Sequence, residues 1–372
     1  MKQIGALVTI AAVSLLAIVV GLVSSQQSEP DEADIFAHSA FTQIRAPLTP
    51  ISSYISHGQI SVNYIKHISD TFHDRFAYTP QEMLTAAWLA EELLAMGYEW
   101  NDIDIQAFSI DDMRHITYIA HIMDILLFIE RTPFVNLGIR TSEKSQNIIL
   151  TVPGQSEKTI VVGAHYDGVF FPGASDNASG VALLLESAQR MLIQENYYTI
   201  EYVFFGAEEV GLLGSYYYVD SLRQEQHDNM LFMINADVLL DGDELFYMAG
   251  YDFYSSPGAN HITETWDYIA NEVNIHHGFS LTPLPWGVFG PSDQLAFLPF
   301  GHTAMFLAGL TTETIGDIPD GDITPHMMDM SRVLHTQQDD IHYIMETWPD
   351  KAKNNMRAFS LFLEELLLAK YT

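Results

Sequence analysis

Residues Val161–Asp167 read Val-Val-Gly-Ala-His-Tyr-Asp, an apolar run that stops at a histidine and an aspartate. A short run of β-branched and small apolar residues is typical of a strand buried on both faces of a sheet. The next segment, Gly180–Leu192, has apolar residues consistent with a helix, and Ile200–Phe205 is strand-like again. This alternation predicts an α/β fold with a central mixed, largely parallel sheet flanked by helices on both faces.

The rest of the chain predicts a leader, a linker and one large domain. Residues 1–25 form the leader, residues 26–50 are an acidic linker that leads into a helical segment including Ile51–Ile68, and residues 51–372 form a single catalytic domain. An apolar stretch interrupted by charges predicts an inserted helix or lid at about residues 112–135. The other predicted elements are strands at Ile103–Phe108 and Asn147–Val152 and helices at Thr79–Gly97 and Ala358–Leu368.

Composition excludes several classes of function. The 372 residues include 48 acidic and 16 basic side chains, which give a formal net charge of −32, together with 48% hydrophobic residues and no cysteine. A surface this negative repels phosphates, so we expect no nucleic-acid partner. Without cysteine, disulfides, thiol nucleophiles, cysteine-bound zinc and iron–sulfur clusters are excluded, and we expect any metal to be held by His, Asp and Glu.

The leader has the pattern of an export signal. Lys2 precedes Ile4–Val23, which contains no charged residue, and small and polar residues follow around Ser25. The apolar run lies between the length of a cleaved signal peptide and that of a membrane span. We therefore predict a secreted or extracytoplasmic protein cleaved near Ser25, or one anchored in a membrane only through this segment.

Histidines and carboxylates follow the strand-like runs, where ligands bind in open α/β sheets. The sequence has no His-Glu-x-x-His, Gly-x-Ser-x-Gly or phosphate-binding glycine motif. His165 and Asp167 end the first run, and Asp176 lies in the small-residue loop Gly173–Gly180. Read alone, the His165 pair fits an ordinary polar pair and Asp176 fits a helix cap. Two further members of this set are Asp237, which ends a later strand, and His335.

Glu208 and Glu209 are the most informative of these residues. They follow the apolar run Val203–Ala207 directly. Two adjacent carboxylates beside a buried strand are costly unless a cation compensates them or one holds a proton. This placement predicts that one glutamate binds a metal ion and that the other acts as a base on metal-activated water.

Together these segments resemble the M28 family of zinc-dependent exopeptidases, which have a phosphorylase/hydrolase-like fold. The shared order covers about residues 60–372 and consists of His-x-Asp, Asp-Asn-x-Ser-Gly, Glu-Glu-x-Gly-Leu-x-Gly-Ser, Asn-x-Asp and a late His-Thr-x-x-Asp. Ser292-Asp293 also matches part of a family Ser-Asp-His segment. The resemblance implies the α/β fold described above and a peptidase activity that depends on zinc.

The resemblance also implies a role for each matching residue. Two Zn²⁺ ions would share the carboxylate of Asp176, and Glu208 would be the general base, with Asp167 orienting His165. The remaining ligands would be His165 and Asp237 for one ion and Glu209 and His335 for the other. Nitrogen and oxygen ligands suit zinc, and a pair of zinc ions can activate water and polarise a carbonyl group.

The chain departs from the family pattern at two positions. Gln294 stands where the family segment often has His, and Leu334 precedes His335 where some relatives have Tyr. The group that stabilises the oxyanion is therefore unassigned, with Tyr251 as a candidate. Asp339 is a candidate acceptor that supports His335.

The resulting prediction is an exported di-zinc exopeptidase that acts on peptides with a free N-terminus. The segments Ile116–Phe134 and Trp286–Asp293 are candidates for the wall that restricts such an enzyme to chain ends. The alternatives are a single-zinc enzyme like glutaminyl cyclase, a carboxypeptidase or dipeptidase on a related fold, and a tethered binding domain without catalysis.

Overall fold

A computed structural model describes residues 47–48, 56–112, 142–242, 244–250, 260–284, 292–311 and 332–371. The strands are β1 (Ile103–Phe108), β2 (Ser145–Val152), β3 (Ser156–His165), β4 (Tyr198–Phe205), β5 (Met230–Ala236), β6 (Glu244–Gly250), β7 (Leu281–Pro283) and β8 (Ala304–Leu310). The α-helices are α1 (Gln59–Thr71), α2 (Pro80–Met96), α3 (Ser179–Met191), α4 (Leu213–Asp220), α5 (Gln224–Asn229), α6 (His261–His277), α7 (Ile341–Thr347) and α8 (Lys351–Leu368).

The eight described strands form one mixed sheet in the order β1-β2-β4-β3-β5-β8-β6-β7. The four central strands, β4, β3, β5 and β8, run parallel to one another. Antiparallel pairs flank this centre, with β2 against β4 on one side and β6 against β8 on the other. The predicted fold, a mixed sheet with a parallel centre in a single domain, is confirmed.

Two hydrophobic layers cover the sheet because the central strands are apolar on both faces. On β3, Ile160 and Val162 pack into the larger layer with residues of α1, α3, α6 and α8, whereas Val161 packs into the opposite layer. That second layer contains Tyr218 of α4 and Phe297, which lies just before β8. Successive strand residues point to opposite faces, so burial on both faces explains the continuous apolar run.

The first part of the domain is a pair of helices with defined ends. As predicted, α2 follows Thr79, whose side chain accepts a hydrogen bond from the Glu82 backbone, and it ends before Gly97, which has a φ of 121°. Of the predicted helical segment over 51–68, the structure confirms the part from Gln59 onward as α1, whereas residues 56–58 are not helical and residues 51–55 lie outside the described residues. Gly58 directly precedes α1 with a φ of 78°, and the buried carboxylate of Glu186 accepts hydrogen bonds from the backbone of Gly58 and Ser61.

The leader and the predicted insertion, apart from residue 112, lie outside the described residues, as does most of the linker. They stay predictions. Among the helices that are described, none combines the length and the apolar character needed to cross a bilayer.

Candidate metal centre

Three parallel strands bring the candidate site residues to one edge of the sheet. β3 ends at His165, which pairs with Phe205 at the end of β4, and Gly163 pairs with Asn235 near the end of β5. The loops after these strands carry Asp167, the two adjacent glutamates and Asp237. Neighbouring parallel strands end at the same edge, so residues that are far apart in sequence meet there.

Asp176 stands between two histidines and faces both with the same carboxylate. Its Oδ1 lies 3.1 Å from His165 Nε2, and its Oδ2 lies 3.1 Å from His335 Nε2. His165 Nε2 is also 3.4 Å from Asp237 Oδ1, and His335 Nε2 is 3.4 Å from Glu209 Oε2. Two groups of three potential ligands therefore share Asp176, and the ligand atoms within each group lie within 4.8 Å of one another.

The loop that presents Asp176 is built from small residues for steric reasons. A Cβ on Gly180 would lie 2.2 Å from the backbone oxygen of Ala236, so no larger residue fits where the start of α3 meets the end of β5. The side chain of Asn177 donates to the same oxygen at 2.9 Å and accepts from the Gly180 backbone at 2.8 Å. These contacts join the Asp176 loop to the strand end that carries Asp237.

Asp167 connects the ends of β3 and β4. Its carboxylate accepts hydrogen bonds from the backbone N–H groups of Glu208 at 2.9 Å and Glu209 at 3.2 Å. His165 Nδ1 lies 3.2 Å from the backbone oxygen of Asp167 and 3.6 Å from its carboxylate. An Nδ1–H that donates here leaves the Nε2 lone pair directed toward Asp176 and Asp237, as a metal-binding imidazole requires.

The two glutamates have raised pKa values because they are buried and lie among other acids. Burial, together with the charges of Glu209, Asp293 and Asp237, raises the pKa of Glu208 well above its usual range. Burial and the charge of Asp176 also raise the pKa of Glu209. These shifts agree with the sequence analysis, in which two adjacent glutamates follow a buried strand, because burial removes water from carboxylates that lie close together.

Protonated histidines compensate part of this charge in the polypeptide alone. Burial opposes the charge on Asp176, but hydrogen bonds from His165 and His335 outweigh it and lower the Asp176 pKa. Burial also opposes the charge on His335, whereas the hydrogen bonds to Asp176 and Glu209 raise its pKa to about 11. The space between these side chains therefore favours positive charge.

The donor set also fits a divalent cation. The buried atoms Glu209 Oε1 and Asp237 Oδ1 have no hydrogen-bond partner within the described part of the chain. Buried carboxylate oxygens are costly when left unpaired, and a cation would satisfy them. Imidazole nitrogens and carboxylate oxygens without sulfur are ligands that zinc accepts.

Polar residues behind the ligands were only partly predicted. Ser292, which the sequence matched to a family segment without a role, donates to Asp237 Oδ2 at 2.7 Å. Gln294, one of the two departures, accepts a hydrogen bond from Asn235 at 2.8 Å. Tyr251 and most of the predicted 286–293 wall lie outside the described residues, so neither prediction is tested.

The expected role of Asp339 is wrong. Its carboxylate does not hydrogen-bond to His335 in the described structure but accepts from the backbone of Ser175 at 2.6 Å and Asp176 at 3.0 Å. His335, whose φ is 55°, directs Nε2 toward Asp176 and Glu209, whereas Asp339 supports the shared aspartate. The prediction rested on the short distance in sequence, since Asp339 follows His335 by only four residues.

Left-handed backbone at non-glycine residues is concentrated around this centre. Besides His335, Ala207 has a φ of 56° directly before Glu208, and Val238 has a φ of 54° directly after Asp237. Such a conformation costs roughly 1–2 kcal/mol per residue and is typical of functional sites that the surrounding structure holds in place. No sequence pattern indicated it.

A mixed sheet with a parallel centre, whose edge gathers two ligand groups around a shared aspartate, defines an α/β protein with a candidate zinc centre. The chain belongs to peptidase family M28, whose family model matches residues 147–360. It is 31% identical over 212 residues to the aminopeptidase YwaD of Bacillus subtilis, covering 55% of this chain and 41% of YwaD. It is 27% identical over 208 residues to the alkaline phosphatase isozyme conversion protein of Escherichia coli, covering 52% of this chain and 54% of that protein. The chain therefore spans about half or less of the length of these two relatives.

Solved structures share the fold over most of the chain. BSAP, a zinc aminopeptidase from Bacillus subtilis, has a TM-score of 0.61 at 18% identity and covers 86% of this chain and 98% of its own. A glutaminyl cyclase from Bacteroides thetaiotaomicron, bound to N-acetylhistamine, has a TM-score of 0.54 at 18% identity, with coverages of 84% and 98%. At these identities the likeness shows the α/β fold.

Proposed function

We propose that this protein is an exported di-zinc aminopeptidase that hydrolyses the N-terminal residue from peptides. The observation that carries the proposal is the carboxylate of Asp176, whose two oxygens each lie 3.1 Å from a different histidine. A single carboxylate presented to two ligand groups is suited to a pair of metal ions. Membership of the M28 family and the aminopeptidase among its relatives support the peptidase reaction.

The proposed ligands form two sets. His165 and Asp237 would hold one ion, Glu209 and His335 would hold the other, and Asp176 would contribute one oxygen to each. The buried Glu209 Oε1 and Asp237 Oδ1, which accept no hydrogen bond in the described part of the chain, support this assignment because a cation would satisfy both. When bound, Zn²⁺ supplies a Lewis acid that polarises the peptide carbonyl and lowers the pKa of a water molecule.

Glu208 is the proposed general base. Its neighbours and its burial raise its pKa, so its carboxylate accepts a proton more readily than an exposed glutamate does. Glu208 takes a proton from the attacking water and returns it to the leaving amine, which balances the hydrolysis of one peptide bond. Asp167 holds the Glu208 backbone at 2.9 Å and thereby positions this base beside His165.

The charge of the site suits a substrate with a free N-terminus. The protonated amine of a peptide is attracted by a protein of net charge −32, although salt screens this attraction beyond about 10 Å. The side chain of His335 is 41% exposed, whereas that of His165 is 1% exposed, so the centre opens toward solvent on the His335 side. We propose that peptides enter from that side.

The zinc content and the release of free amino acids test the proposal in one sample. We expect two zinc ions per chain and release of N-terminal residues that a chelator stops. Glu208→Gln is expected to keep the zinc and lose activity by at least 10²-fold, because it removes the base without removing a ligand. Glu201→Gln is the matched control. Glu201 lies on β4, the strand that leads into the Glu208 loop, but it accepts a hydrogen bond from the hydroxyl of Tyr218, outside the candidate site. Equal activity in the Glu208 variant and the wild type would refute the assignment of the base.

Glutaminyl cyclisation is the second candidate, because a cyclase is among the similar structures. It would be favoured by a single zinc per chain and by conversion of an N-terminal glutamine without release of an amino acid. A carboxypeptidase would instead cleave peptides with a blocked N-terminus. The two ligand groups around Asp176 favour the two-metal enzyme.

We also propose that the leader directs export. The absence of cysteine is compatible with a secreted protein that does not depend on disulfides. N-terminal sequencing of the protein from culture medium and from membranes distinguishes cleavage near Ser25 from an uncleaved anchor. Full-length protein in the cytoplasmic fraction would refute this proposal.

A further inference from the structure

Arg75 is a fully buried cation that lies behind the candidate metal centre. Its guanidinium donates to the backbone oxygens of Tyr166, Pro172 and Gly173, each at 2.8 Å, and to that of Phe72 at 3.3 Å. Among the described residues, no carboxylate forms a direct ion pair with it. The side chain therefore uses its donors on the main chain, which is unusual for a buried charge.

The acceptors of Arg75 flank three of the site residues. Tyr166 lies between His165 and Asp167, and Gly173 begins the turn that carries Asp176. The backbone oxygen of Arg75 also accepts the N–H of Gly168 at 3.2 Å. Arg75 therefore forms hydrogen bonds at both ends of the loop that joins the His165 segment to the Asp176 turn.

Asp339 holds the other side of the same turn. Besides its carboxylate bonds to Ser175 and Asp176, its backbone oxygen accepts the N–H of Ala174 at 3.0 Å. Arg75 therefore binds the carbonyl groups that precede Asp176, while Asp339 binds the N–H groups of Asp176 and its two predecessors. Because His335 lies four residues before Asp339, the same loop carries a ligand of the second group.

We propose that Arg75 is a positioning residue that, together with Asp339, sets the affinity of the centre for zinc by fixing the backbone of Asp176. This inference rests on the zinc site proposed above. The planar guanidinium reaches several carbonyl groups at once, whereas a lysine ammonium is a compact donor that cannot reproduce the fork. The charge of Arg75 also faces Asp339, Asp176, Asp167 and Glu209, so it offsets part of the repulsion among them.

The test compares Arg75→Lys with Arg190→Lys. Arg190 is a matched control, because it is also a buried guanidinium, but it pairs with Glu186 through bonds of 2.9 and 3.0 Å outside the centre. Zinc dissociation constants are measured by competition with a chromophoric chelator, and unfolding midpoints are measured on the zinc-free proteins. We expect Arg75→Lys to weaken zinc binding about 10–100-fold, as for other residues that orient metal ligands. Arg190→Lys is expected to stay within about threefold of the wild type while losing a similar amount of stability.

Four outcomes would overturn or redirect the inference. Wild-type zinc affinity in Arg75→Lys would refute it, and equal weakening by Arg190→Lys would show a general structural effect instead. If Arg75→Lys does not fold, Asp339→Asn tests the same turn, since it keeps the shape and replaces one acceptor oxygen with an NH₂ group. Unchanged zinc affinity there would equally refute the inference. A wild-type protein that binds no zinc would instead refute the proposed function itself.

Discussion

Replacing Asp167 by asparagine tests how much the centre depends on a residue that is not a proposed ligand. The substitution preserves the volume of the side chain. It removes the negative charge and converts one acceptor oxygen into an NH₂ group. In the wild type, the backbone N–H groups of Glu208 and Glu209 donate to this carboxylate. In the variant, the NH₂ group would face one of these two N–H groups.

The contacts of Asp167 set the expected magnitude. A hydrogen bond to a charged acceptor contributes about 1.5–3 kcal/mol and a neutral one about 1 kcal/mol, so one bond is lost and the other is weakened. Removal of a carboxylate also relieves repulsion in the zinc-free protein, which offsets part of this loss. We therefore expect zinc affinity to fall about 10–100-fold, which corresponds to about 1.4–2.8 kcal/mol.

The assay is a competition titration of zinc-free protein against a chromophoric chelator, with peptide hydrolysis followed at each zinc concentration. Asp102→Asn serves as the control, because Asp102 also accepts a backbone N–H, that of Glu99 at 2.8 Å, but lies at an exposed turn before β1. The reasoning fails if Asp167→Asn binds zinc within threefold of the wild type, or if Asp102→Asn weakens zinc binding to the same degree.

Two further predictions concern the fold around the centre. Gly180→Ala places a Cβ 2.2 Å from the backbone oxygen of Ala236. We expect the free energy of unfolding, measured with urea, to fall by about 1–3 kcal/mol, and zinc titration to show weaker binding. In the control Gly168→Ala the added Cβ meets nothing closer than 3.4 Å, so the free energy of unfolding should change by less than about 0.5 kcal/mol. Burial and the neighbouring His227 lower the pKa of His302 to about 4. The unfolded chain therefore takes up this proton first, and stability should fall by about 1–2 kcal/mol between pH 6.5 and 4. His302→Gln should remove this part of the loss in urea titrations at each pH, and an unchanged difference between pH 6.5 and 4 would contradict the assignment.

The strand ends and their acidic or histidine residues were predictable, because they follow local patterns. The apolar run before His165 and the run before Glu208 each indicate a strand, and parallel strands place both ends at one edge. The division of Asp176 between two histidines was implied only by resemblance to a family.

The supporting contacts were not predictable from local spacing. Arg75 reaches Gly173 across 98 residues of sequence, and Asp339 reaches Ser175 across 164. Such pairs depend on how helices and loops pack over the sheet, which periodicity does not specify. Asp339 illustrates the limit: its nearness in sequence to His335 suggested one partner, whereas packing provides another.

The electrostatics of the centre connect metal binding with protons. Six acidic side chains converge around His165 and His335: Asp167, Asp176, Glu208, Glu209, Asp237 and Asp293. In the polypeptide alone, the raised pKa of His335 means that a proton supplies part of the positive charge that these acids require. A metal ion binds the neutral imidazole, so zinc and the proton compete for the same nitrogen. The acidic cluster that would attract zinc thus also makes proton release part of zinc binding, and it gives the shared carboxylate of Asp176 a cation to face in either state.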